Sequence, residues 1–446
     1  MFSRRGFIRV GAASVGTLAL RPFGLLPALA QSGPDYRALV CVFLFGGNDS
    51  NNTIVPMDDT SYKAYQSIRG ALGLSQSALA PVTSASGAPY GFHSLLTEVA
   101  SLFSSKELAV VANVGSLVQP VTRAQYQAQQ APVPLNLFSH ADQQQQWQTS
   151  IAQGNSPTGW AGRAADYVAA QQLNSSSFPT FLSVAGNVLE GAGVRTAQVD
   201  LSPGQSLKLT GFNNSAASQA RWNALTSLLT LNTGVTLAQA ANNVMSMSIA
   251  DAQALGSALA QAPALKTQFP ATSLGAQLQQ VAQIIQVQSA LGMTRQIFFC
   301  SLGSFDTHTG ELGTLNNLYP QLSQALAAFY NATLELGMAE KVTTFTESDF
   351  NRTFQPTSGG GTDHAWGGHH MVLGGAVRGG QIYGTFPTFE LGGPDDTDTR
   401  GRWIPTTSID QYGATLCSWF GIPDSSLPTV FPNLASFGAT KLGFFS

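Results

Sequence analysis

Three apolar runs in this chain each break off into a glycine-rich or polar loop that carries an acid. Residues 39–45, LVCVFLF, run into GGND and Asp49; residues 295–300, RQIFFC, lead to SLGSFDTHTG with Asp306 and His308; the run at 342–346 leads to Asp349. Runs this short and this apolar read as strands buried on both faces, and such burial requires helices above and below a parallel sheet. Open sheets of this kind gather their ligands outside the carboxyl ends of the strands. The sequence therefore predicts an α/β fold, a mainly parallel central sheet flanked by helices, with Asp49, Asp306 and Asp349 along one edge.

The rest of the chain keeps to that plan. Strand-like runs at 38–45, 108–114, 181–184, 296–301 and 342–346 alternate with amphipathic stretches such as LYPQLSQALAAFYNATLELG at 318–337, whose apolar residues recur every three or four positions. A helix there returns the chain from the Asp306 loop to the strand ending at Asp349, the ordinary crossover of a parallel sheet. Residues 236–292 are rich in Ala and Gln and read as an inserted pair of helices, broken at AQAPALKTQFPATSLG, that covers one face of the sheet. With no internal repeat and no linker, residues 36–446 are expected to form one domain.

Residues 1–30 stand apart. Ser3-Arg4-Arg5-Gly6-Phe7-Ile8, a run of small apolar residues, and Ala28-Leu29-Ala30 before Gln31 read as a twin-arginine signal peptide with its cleavage point. Arg21, Pro22 and Pro27 interrupt its apolar segment, which falls short of the roughly 20 residues a bilayer span needs. The expected location is the periplasm or the medium, the Tat export machinery is an expected partner, and the mature chain is expected to have no membrane span. A net charge of -3, with only 10% charged residues, gives no electrostatic pull toward nucleic acid or anionic lipid. Cys41, Cys300 and Cys417 lie in apolar patterns without C-x-x-C spacing and read as buried thiols.

Of the six histidines, His364, His369 and His370 follow Asp349 in TESDFNRTFQPTSGGGTDHAWGGHH, together with Asp363. Carboxylates and imidazoles suit a hard or borderline divalent ion, and two such ions a few ångströms apart need about six ligands. Asp49, Asp306, His308, Asp349, Asp363, His364 and His369 form a sufficient set for Zn, Mn or Ca. Adjacent rings do not easily serve one ion, so His369 is preferred over His370. Taken singly, each acid is also a turn cap and each histidine a surface residue. In a shared site the carboxylates should converge, and their repulsion should raise the pKa of each.

The nucleophile has two candidates. Ser50 adjoins Asp49; Ser139, in NLFSHADQQQQWQ, stands where an oxygen meets the positive end of a helix and equally where a plain N-cap stands. Arg163 in TGWAGR and Arg352 after Asp349 are candidates to clamp an oxyanion, with surface arginine the alternative.

Taken together, LVCVFLFGGNDSNNTIVP, FSHADQQQQWQTS with TGWAGR, FFCSLGSFDTHTGELG, TTFTESDFNRTFQP, GGTDHAWGGHHMVLGGAVRGGQIYG and RWIPTTSIDQYGATLCSWFG resemble the DUF1501 family across nearly the whole mature chain. That family is distantly similar to the alkaline phosphatase and sulfatase superfamily. The resemblance implies two metals at the carboxyl edge of the sheet, with Asp49 as the first-strand ligand and Asp306 and His308 as a later pair. Asp349 resembles the acid of an Asp-His pair in which Phe350 replaces the histidine, and Asp363, His364 and His369 are the residues that would substitute for it. No cysteine lies in a C-x-P-x-R context, which argues against a formylglycine sulfatase. Two functions follow as expectations. One is an exported metal-dependent hydrolase of phosphate or sulfate esters acting on a small molecule. The other is a non-catalytic accessory or structural exported protein that keeps the fold and a structural metal, and whose partner is another exported protein.

Overall fold

In the computed structural model of the chain, strand β1 (Arg37–Leu44) lies between β8 (Arg295–Leu302) and β9 (Val342–Ser348), parallel to both. Leu44 pairs with Leu302 on one side and with Ser348 on the other, so the Asp49, Asp306 and Asp349 loops leave the sheet level with one another. Residues 35–205, 212–213, 215–231 and 234–445 are described, and the twin-arginine motif and the point before Gln31 lie outside them. From Arg37 onward the described residues form one compact unit.

Among the described residues the main sheet has nine strands. It runs β11 (Ile382–Gly384), β5 (Leu108–Gly115), β10 (Gly368–Leu373), β9, β1, β8, β6 (Phe181–Ser183) and β7 (Val199–Asp200), with β12 (Thr407–Ser408) also on β5. The short strands β2 (Ile54–Pro56), β4 (Pro89–His93) and β3 (Leu79–Thr83) make a separate antiparallel sheet. All five strands expected from the sequence are present, with ends shifted by one or two residues.

One strand, β10, departs from the parallel plan. It runs antiparallel to β5 and β9, so the chain that leaves β9 at Asp349 re-enters the sheet from the same edge at Gly368. Antiparallel entry needs no crossover helix, and it keeps the whole loop 349–367, with Asp363 and His364, at that edge.

On one face Leu39, Cys41 and Phe43 join Ile297, Phe299 and Phe345 in a core closed by the helices Trp160–Ala170 and Ile409–Phe420. The alternate residues Ala38, Val40 and Val42 are equally buried and must face the other side. There the helix Ser273–Gln286 packs on β8 and along the helix Glu311–Glu335. This coverage of both faces is what makes the strands continuously apolar. The Ala/Gln-rich insertion covers the sheet only in part. Its first helix, Thr236–Gln261, buries Leu255 and leaves Leu237, Val244, Met245 and Met247 exposed, and its packing partners include the helix Ala216–Leu229.

All three cysteines are buried and unpaired. Among the described residues no helix is long and apolar enough to cross a membrane.

Candidate metal centre

Close approach of the three loops depends on glycine. Gly46 has φ +113°, and a Cβ there would lie 2.4 Å from the backbone nitrogen of Asp306; its own N–H donates to Asp349 Oδ1 at 3.0 Å. One glycine thus joins the ends of β1, β8 and β9. Gly361 does the same on the far side, where a Cβ would meet the His308 carbonyl carbon at 2.2 Å.

Asp306 is the centre of what these loops bring together. Its Oδ1 lies 3.1 Å from His308 Nε2 and 3.5 Å from His364 Nε2, and its Oδ2 lies 3.5 Å from His140 Nε2. The Nε2 atoms of His308 and His364 are 2.9 Å apart. In a tetrahedral zinc site with ordinary bond lengths, neighbouring ligand atoms are about 3.4 Å apart. The observed spacings bracket that value.

Each imidazole is held from behind. His140 Nδ1 pairs with Asp349 Oδ2 at 2.7 Å, His308 Nδ1 with Asp363 Oδ1 at 3.1 Å, and His364 Nδ1 with the Phe138 carbonyl at 2.7 Å. A carbonyl oxygen only accepts, so the Nδ1 of His364 carries the proton and its Nε2 keeps a lone pair. This arrangement of rings buttressed at Nδ1 is how proteins fix histidine ligands for a metal. Phe138 presents its carbonyl from a left-handed backbone, φ 73°, and its ring lies under the Arg402 guanidinium at 4.6 Å.

Electrostatics follow from these contacts. Burial alone would raise Asp306, but the Arg352 guanidinium, at 3.1 Å, and the His308 and His140 rings outweigh it and hold the carboxyl below its ordinary range. The expected rise from carboxylate repulsion is therefore reversed at Asp306, because positive groups, not other acids, surround it. The hydrogen bond to Asp349 outweighs burial at His140 and raises its pKa. Burial, aided by the neighbouring positive groups, lowers that of His364 despite its bond to Phe138. The Phe350 ring packs against both His140 and His364, with centroids 4.7 and 4.6 Å away, and walls the cluster on one side.

The residues singled out in the sequence divide into groups. Asp306, His308 and His364 converge. Asp349 and Asp363 stand one step behind, as partners of His140 and His308; Gln144 also donates to Asp349, and Arg400 binds Asp363 at 2.7 Å. Arg352 touches Asp306 and is otherwise bound to Thr362 through Nε and Nη2.

Asp49 is engaged elsewhere. Its Oδ2 is ion-paired with Arg69 and its Oδ1 accepts from Asn51; Arg69 also reaches Glu311 Oε1 at 3.1 Å, all in full burial. Ser50 Oγ accepts from the His369 backbone N–H. His369 is buried on β10, where its Nδ1 accepts from the Asn113 N–H at 3.0 Å, and His370 packs on Trp147. Burial lowers both imidazoles to about 3, so both are neutral. Ser139 caps its own helix, His140–Thr149, donating to Asp142 Oδ2 at 2.6 Å. Arg163 ties the carbonyls of Thr149, Thr158 and Val430 together.

Sequence reading did not single out His140. No strand precedes it, and its neighbour Ser139 drew attention as a helix cap; the available signal was a histidine in the first turn of that same helix. Arg400 and Arg402, the latter donating to the His364 carbonyl at 2.9 Å, were also not singled out.

A family model described as "Protein of unknown function (DUF1501)" matches residues 36–399. The chain belongs to the DUF1501 family. Among curated proteins no sequence matches it. Distant structural matches include sulfatases and a phosphonate monoester hydrolase. A sulfatase from Pseudoalteromonas sp. has TM-score 0.35 and 9% identity, over 90% of this chain and 70% of that one. The phosphonate monoester hydrolase of Agrobacterium radiobacter has TM-score 0.32 and 10% identity, over 89% and 77%. A C-terminal periplasmic domain from Escherichia coli, in complex with Zn, has TM-score 0.28 and 10% identity, over 77% and 74%. Likenesses this remote carry nothing about the chemistry of this DUF1501 chain.

Proposed function

We propose that this DUF1501 protein is an exported, metal-dependent hydrolase of phosphate or sulfate esters that uses one divalent ion, held by His140, Asp306 and His364, whose ligand atoms lie within 4.8 Å of one another, with His308 beside Asp306 and His364. The observation that carries this reading is the convergence of three Nε2 atoms on the Asp306 carboxylate while all three Nδ1 atoms are engaged from behind. When bound, such an ion polarises an ester oxygen and makes water nucleophilic near neutral pH.

The protein's own groups supply the rest. Asp306 has 47% of its side chain exposed, so the centre opens to a substrate. Arg352, Arg400 and Arg402 contact Asp306, Asp363 and the His364 carbonyl, and this positive surround suits an anionic ester. Phe350 keeps water from one side of the rings. One ion fits better than two because Arg69 already neutralises Asp49.

The test is metal content and turnover of purified protein with aryl phosphate and aryl sulfate. The reading expects about one zinc-class ion per chain at this centre and hydrolysis that a chelator abolishes and His140→Ala removes. Retention of full activity by His140→Ala would overturn it.

One observation favours the accessory reading: the Ser139 hydroxyl donates to Asp142 and the Ser50 oxygen accepts from the His369 N–H, so the bonds of both lie away from the cluster. If so, metal raises the melting temperature without turnover on any ester tried.

A further inference from the structure

A second cluster lies inside the molecule, in the core beneath the sheet. Cys41 projects from the middle of β1, and Glu347, on β9, pairs in register with Phe43, two residues further along the same face. Glu190 comes from the short turn Leu189–Gly191, whose Leu189 and Glu190 N–H groups both donate to Gln148 Oε1, at 2.9 and 3.2 Å. The turn can reach inward because residue 159 is glycine: a Cβ there would lie 2.0 Å from the Glu190 carbonyl oxygen.

One ligand atom from each of Cys41, Glu190 and Glu347 lies within 4.8 Å of the other two. All three residues are at most 1% exposed, in a core of Phe43, Trp147, Trp160 and Phe345. Both carboxyl oxygens of Glu190 and Oε2 of Glu347 lack a partner of good hydrogen-bond geometry, and only the Cys41 thiol and the Trp160 indole, itself without such a partner, stand close by. Carboxyls without good partners in such surroundings are costly to keep. A structure that keeps two of them side by side, next to a thiol, has the donor set for a cation.

We propose that Cys41, Glu190 and Glu347 form an interior binding site for a single divalent ion of the zinc class. The thiol sets the class, since thiolate selects zinc-like ions over magnesium or calcium. With the thiol and one carboxyl deprotonated, the charges of ion and ligands cancel, so the core carries no net charge. The enclosure sets the kinetics: the ion enters as the chain folds and leaves only when it opens. This site is independent of the proposed catalytic centre, which contains no sulfur.

Cobalt(II) distinguishes the two sites. Full-length protein produced in zinc-depleted, cobalt-supplemented medium should carry about two ions per chain. A chelator should remove one within minutes, and the other only on unfolding. Thiolate-to-cobalt charge-transfer absorption in the near ultraviolet should report the interior ion alone, persist in His140→Ala and vanish in Cys41→Ala. Cobalt-loaded wild-type protein without that absorption overturns the proposal, whatever becomes of the surface centre. If Cys41→Ala fails to fold, the double variant Glu190→Gln/Glu347→Gln decides. Loss of the chelator-resistant ion supports the site, whereas retention of that ion sinks it.

Discussion

Around Asp49 and around Asp306 the same sheet edge gathers acids, yet the two clusters solve the problem of negative charge differently. Asp49 and Glu311 are fully buried and share the Arg69 guanidinium, a cation built into the fold. Asp306 is half exposed and faces three imidazoles, two of which, His308 and His364, turn their Nε2 atoms toward each other, with Arg352 bound to only one of its oxygens. Two nitrogens 2.9 Å apart repel unless a proton or a metal lies between them. The acids alone therefore do not mark the group that could hold a metal. The imidazoles around Asp306 do.

The largest expected effect separates the clusters by stability. Arg69→Met leaves two carboxyls buried without their cation, and breaking such a pair costs about 3–5 kcal/mol. Urea unfolding of metal-free protein should show this loss, and Asp49→Asn/Glu311→Gln added to Arg69→Met should recover most of it. A loss below about 1 kcal/mol would mean that Arg69 does not stand in for an ion.

Next in size is a pH effect on the same network. Burial, reinforced by the Asp49 carboxylate, pushes Glu311 from 4.5 up to about 8. The folded protein thus holds a proton that the unfolded chain releases. This stability is complete below about 4.5 and is lost as pH rises through about 8. Metal-free wild type should weaken across that window by at most about 5 kcal/mol relative to Glu311→Gln, read as urea midpoints. Parallel curves for the two proteins would remove Glu311 from the comparison.

Much of this was legible in the sequence, and the reasons are local. Runs such as LVCVFLF and RQIFFC are apolar because both sheet faces are covered, so the strands and their edge could be read directly. β10 could not, since GHHMVL places two histidines in a strand where burial keeps them neutral. His308 and His364 could be suspected from clustering with acids. His140 reaches Asp306 only through the fold, from a helix start 166 positions away by residue number. Asp49 misleads for the complementary reason: its partner Arg69 sits 20 positions on, in an ordinary amphipathic helix.

A smaller effect tests which acids serve the metal. Asp349→Asn weakens the acceptor behind His140, and such supporting changes cost roughly 10–100-fold in metal affinity. Asp49→Asn should leave that affinity within about threefold, because its carboxylate faces Arg69. Zinc titration against a competing chelator measures both. Equal losses in the two variants would return Asp49 to the site.

The smallest effect falls on Ser139, and it decides between cap and nucleophile. Its Oγ donates to Asp142 Oδ2 at 2.6 Å and accepts, weakly, from the Asp142 N–H at 3.5 Å, both within the first turn of the helix that carries His140. A hydroxyl so committed stabilises the helix end and contributes no attacking oxygen. Ser139→Ala should therefore cost about 1 kcal/mol in urea unfolding, as loss of an N-cap does. It should shift zinc affinity by no more than about threefold, since His140 remains tethered to Asp349. Any ester hydrolysis should persist. Abolished turnover with unchanged zinc affinity would instead place Ser139 at the reacting centre and require the helix start to rotate when substrate binds.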